Sequence, residues 1–127
     1  MVVIFKHLLT PKRCLLAALV FYVLMVGLGS IPGNRQELGN LASARLLHFG
    51  AYSFLSILLY YSVTYRPLHR ALYTLLAIAL LAAVDEAIQG LLPYRTGAIT
   101  DWAFDMLVAA LCVSLLTLFT KHLNPLC

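Results

Sequence analysis

The residues best suited to chemistry lie between Asp85 and Asp105, in the stretch DEAIQGLLPYRTGAITDWAFD. It holds four of the chain's five acidic residues, Asp85, Glu86, Asp101 and Asp105, with Gln89 and Arg95 between them. An upstream block places Arg45, His48 and Tyr52 at spacings that share one face of a helix. Carboxylates and an imidazole can exchange protons with a substrate, which makes Glu86, Asp101 and His48 the catalytic candidates. Arg45 and Arg95 suit a phosphate or carboxylate head group. A divalent cation would need a stronger ligand pattern than this one, and neither HExxH nor a comparable spacing is present. No metal or other cofactor is expected. GxSxG, Walker and CxxC patterns are absent too. Spacing leaves catalysis, head-group binding and structural bridging between helices all open.

The surroundings of these residues are apolar. Hydrophobic residues make up 62% of the 127 residues and charged residues 11%, about half the charged share of a globular protein. No single core of this size needs so much apolar surface, so the lipid bilayer is the expected surrounding. The net charge is +4, but the basic residues stand at the ends of apolar runs. That suits loops and lipid head groups, and no nucleic-acid partner is expected. Cys14, Cys112 and Cys127 are scattered and suggest neither a disulfide framework nor a zinc site.

Four apolar runs are available to hold the polar residues in place: 15–31, 46–63, 71–92 and 102–119. The first follows Lys6, Lys12 and Arg13 and could be a signal peptide. It is longer than an ordinary signal core and lacks a clear cleavage site, so a retained span is expected. The expected fold is therefore all-α, a single membrane domain built as a four-helix transmembrane bundle in up-down-up-down order. Lys6, Lys12, Arg13, Arg66, Arg70 and Lys121 then share one side, against Arg35, Arg45 and Arg95 on the other. This bias places both termini in the cytoplasm. On the same topology all five acids, Glu37 included, fall at the non-cytoplasmic end beside His48. Ala79, Ala83 and Ala87 form a small-residue stripe where a neighbouring helix can approach. Thr100 or Asp101 can cap the last helix.

Two blocks resemble the VanZ-like family of small integral membrane proteins over roughly residues 44–110. The first is Arg45-Leu-Leu-His48-Phe49-Gly-Ala-Tyr52. The second is Asp85-Glu86-x-x-Gln89, then Pro93-Tyr-Arg95, then Asp101. The chain departs from the family pattern at Ala44, Asp105 and Val108, where the family often has Asp, Asn and Gly. The resemblance implies a multi-spanning protein of the cell envelope, and the family's founding member is associated with resistance to the lipoglycopeptide teicoplanin. The expectation is a bacterial inner (plasma) membrane protein with an outward-facing polar pocket. Arg45, His48, Tyr52, Asp85, Glu86, Gln89, Arg95, Asp101 and Asp105 would bind an anionic or amphiphilic envelope component there, such as a lipid-linked precursor or a lipoglycopeptide. A membrane enzyme, using Glu86 or Asp101 as acid or base on a lipid-linked substrate, is the first alternative. A scaffold or subunit without site chemistry is the second, and a homo-oligomer fits any of them.

Overall fold

The computed structural model of the protein describes residues 10–34 and 43–123. Among these residues there are four helices and no strand: α1 (Pro11–Gly29), α2 (Ala44–Ser62), α3 (Pro67–Leu91) and α4 (Ile99–Leu123). Lys6, Arg35, Glu37 and Cys127 lie outside the described residues.

Each helix begins where local chemistry allows it to. Pro11 and Pro67 open α1 and α3, positions where a missing N–H costs nothing and the fixed φ favours the helix. This carries Lys12 and Arg13 into α1, one turn ahead of the apolar run. Ser43 caps α2, its side chain accepting the Leu46 N–H at 3.2 Å. At 25 residues each, α3 and α4 are about 37 Å long, against roughly 30 Å of bilayer hydrocarbon.

Three of the helices, α1, α3 and α4, are long and apolar enough to cross a membrane. The odd one out is α2, diluted by Arg45, His48, Tyr52, Ser53, Ser56 and its closing Tyr60-Tyr61-Ser62. Its position explains the difference. It packs against α1, α3 and α4, while α3 and α4 make the most extensive pair. A helix packed against three others can carry polar groups on the faces it buries, as α2 does with Tyr52, Ser56 and Tyr60, while its Leu46, Phe49 and Phe54 stay exposed. The up-down-up-down order expected from the sequence does not single out a central helix; the packing places α2 there.

The core runs along α2. Leu55 and Leu59 meet Ala18 of α1, Ile78 and Ala82 of α3, and Val108 and Ala109 of α4. Within α3 the buried positions are Pro67 at its start and then Thr74, Ile78, Ala82, Asp85 and Gln89, a stripe at spacings of three and four from Thr74 onward. The small residue in that stripe is Ala82. Ala83 and Ala87 are exposed, so the alanine stripe expected to meet a neighbour turns mostly outward.

Candidate functional site

One end of the molecule gathers the close of α1, the start of α2, the close of α3 and the start of α4. The carboxylate of Asp105 on α4 lies 2.9 Å from His48 Nδ1 on α2. Asp105 is 0% exposed, so this contact is shielded from solvent. Tyr52, one turn along α2, stacks on His48 at 6.0 Å between ring centroids and donates its hydroxyl to Asp85 of α3 at 3.3 Å. Gln89 lies one turn beyond Asp85 on the same buried face, 2% exposed. These five side chains, from three helices, form the buried polar centre.

Two further residues frame it. Glu86 sits on the flank of α3 and accepts the backbone N–H of Ala98, the residue before α4, at 2.8 Å. This carboxylate from another helix caps α4, the task expected of Thr100 or Asp101. Asp101 instead occupies the first turn of α4, where its charge is favoured by the helix dipole, within electrostatic reach of Glu86 and Asp105. Gly97 makes the cap feasible: a Cβ there would stand 2.5 Å from the Glu86 carbonyl oxygen. The connection can lie this close to α3 only as glycine.

The two arginines expected to share an anion are apart in role. Arg95 donates from Nη1 to the Gly29 carbonyl at the C-terminal end of α1, where the dipole favours a cation. Tyr94 beside it donates to the Ser30 carbonyl. Arg45 is exposed on the first turn of α2 and makes no hydrogen bond or ion pair with the described residues. A hollow of about 300 Å³ lies against Arg95, between Gly29–Gly33 and Tyr94–Thr96. Of the nine residues expected to line a pocket, Arg95 alone borders this hollow.

Several contributors escaped the sequence. Tyr22 of α1 donates to the Leu81 carbonyl at 2.7 Å, and Trp102 Nε1 donates to the Ala79 carbonyl at 3.1 Å. Tyr22 was signalled by being a polar group inside an apolar run, and Trp102 by its place at a helix start. With Arg95 and Tyr94 they tie α1 and α4 to α3.

Asp105 Oδ2, Gln89 Oε1 and Glu86 Oε1 are buried without a partner among the described residues, and all three are acceptors. Buried polar atoms are normally satisfied, so such a group marks where a proton, a water or a donor-bearing ligand belongs. No three His, Cys, Asp or Glu side chains among the described residues stand close enough together to hold a metal ion. Geometrically the centre can accept hydrogen bonds and hold a proton between His48 and Asp105.

Comparison with known proteins gives one match. No curated protein and no solved structure is significantly similar to the chain. The family model described as VanZ/LLP1 matches residues 7–120, wider at both ends than the two sequence blocks, and the chain belongs to the VanZ/LLP1 family.

Proposed function

We propose that the chain is a four-span protein of the bacterial plasma membrane with cytoplasmic termini. Its polar centre, at the outer end, binds the head group of an amphiphilic cell-envelope component. A lipid-linked precursor or a lipoglycopeptide such as teicoplanin belongs to that class. The observation that carries this reading is the surplus of buried acceptors, Asp105 Oδ2, Gln89 Oε1 and Glu86 Oε1. A cluster serving only to join helices would leave fewer of them unsatisfied. These acceptors favour a head group rich in hydroxyl or ammonium donors. The orientation rests on the excess of basic residues at the opposite end, where Lys12, Arg13, Arg66, Arg70 and Lys121 stand.

A second reading has one observation in its favour. A buried carboxylate against His48 Nδ1 at 2.9 Å is the arrangement that orients an imidazole as general base. Of Glu86, Asp101 and His48, the geometry favours His48 for that role.

Mass spectrometry of lipids and small amphiphiles retained by wild type, Glu86→Gln and Asp105→Asn tests both. Binding predicts a retained species that falls about tenfold or more in the variants, the worth of one charge-assisted hydrogen bond. Identical profiles from all three proteins would sink the binding reading. An enzyme predicts that the species is converted by wild type and not by His48→Ala. A scaffold predicts variants that fail to accumulate. The orientation is checked with Thr96→Cys, on the exposed connection between α3 and α4. An impermeant thiol reagent should label it from outside intact cells; labelling only in inverted vesicles overturns the orientation.

A further inference from the structure

The end opposite the polar centre carries a second hollow, of about 560 Å³, within the roughly 300–1,000 Å³ range of small-molecule sites. It lies where α1 and α3, both packed on α2, fail to close on one another. Its wall is mostly apolar, with Leu15 from α1, Leu59 and Ser62 from the end of α2, and Tyr73, Thr74 and Ala77 from α3.

One polar atom in this wall lacks a partner. Thr74 is 1% exposed, and its Oγ1 finds no hydrogen bond among the described residues. Several hydroxyls of this chain satisfy themselves locally, whereas Thr74 Oγ1 and, away from the hollow, Ser56 Oγ do not. Ser30, Thr117 and Thr120 each donate to the carbonyl four residues back, at 2.7, 2.8 and 2.7 Å. Thr74 does not make this bond, and it borders the hollow. It sits about 10 Å along α3 from the helix start, the depth at which lipid ester groups give way to acyl chains.

Two cations stand one helical turn from lining residues, outside the lining itself. Arg70, Thr74 and Ala77 follow one another on one face of α3, and Lys12 stands one turn before Leu15 on α1. Arg70 is held in place by its Nε, which donates to the Tyr65 carbonyl at 2.8 Å, and by the Tyr60 ring 5.9 Å beneath its guanidinium. Its hydrogen bond to Tyr65, a residue of the wall, uses Nε and leaves the two Nη groups for a ligand.

We propose that this hollow is a binding site for an anionic phospholipid. The phosphate would meet Arg70 and Lys12, a glycerol ester oxygen would accept from Thr74, and one acyl chain would lie along Leu15, Leu59 and Ala77. Charge selects the lipid, since a zwitterionic head group gains less from two cations. The site is separate from the polar centre and does not rest on the function proposed there.

The full chain, purified in detergent and stripped of lipid, is offered phosphatidylglycerol or phosphatidylcholine with matched acyl chains. Native mass spectrometry counts what is retained. Wild type should prefer phosphatidylglycerol, and Arg70→Gln and Lys12→Gln should each lower that preference about fivefold. Ala77→Trp, which fills the hollow, should abolish retention of both lipids, while Lys121→Gln, an exposed cation on α4 away from the lining, should leave retention unchanged. Equal retention of the two lipids by wild type overturns the proposal. So does full retention by Ala77→Trp with an unaltered helical spectrum. Should that variant not accumulate, Ala77→Leu fills less space and should lose part of the retention; none lost would again overturn it.

Discussion

At the scale of single residues, the pairing of His48 with Asp105 dominates the polar end. A carboxylate with no exposure and one neighbour at 2.9 Å depends on that neighbour far more than a surface acid would. His48→Ala should therefore destabilise the protein by about 3–5 kcal/mol, the cost of leaving a buried charge alone. Removing both, as His48→Leu with Asp105→Leu, should recover most of that loss. Thermal unfolding in detergent followed by circular dichroism checks both, and a double variant no more stable than His48→Ala would count against the argument. The sequence brought His48 and the acids to one end but could not choose among Asp85, Glu86, Asp101 and Asp105. The choice depends on how α4 is rotated against α2, which no spacing within one helix determines. It fell on Asp105, at a position where the family resemblance leads one to expect Asn.

At the scale of elements, the connection between α3 and α4 is the most constrained part of the described chain. Gly97 rests on the last turns of α3, and the next residue, Ala98, delivers its N–H to Glu86. A methyl group at 97 meets backbone rather than a yielding side chain, so Gly97→Ala should cost about 1–3 kcal/mol as an overpacked contact. Gly90→Ala is the internal control. Nothing lies within 4 Å of a Cβ there, and a glycine in a helix gains about 0.5–1 kcal/mol on becoming alanine. Melting temperatures of the two variants should move in opposite directions; a shared direction would refute the close approach. Apolar runs made the helices legible, yet their starts came earlier where proline or a capping serine allowed it. Which face of α3 turns inward was legible in part. The polar spacing left the faces of Asp85 and Glu86 both open, and the inward one is that of Asp85 and Gln89; the alanine stripe pointed elsewhere, because exposed small residues and buried ones look alike in sequence.

At the scale of the whole molecule, α2 is the hub, and its composition sets the order in which the protein can be assembled. It is the helix that falls short in apolarity, and it is synthesised second. When α2 leaves the ribosome, α1 is the one partner already made. Asp85 and Asp105, which later receive Tyr52 and His48, are still unsynthesised. A lone α2 bearing Arg45 and His48 enters hydrocarbon poorly. In a cell-free membrane-insertion assay, α2 as the sole test segment should insert less than α1, α3 or α4 tested the same way. Following it with α3 and α4 should raise its insertion; equal insertion of α2 alone and in the full chain would contradict this. The polar end thus has a birth order. Its phenol waits for α3, which brings Asp85, and its imidazole for α4, which brings Asp105.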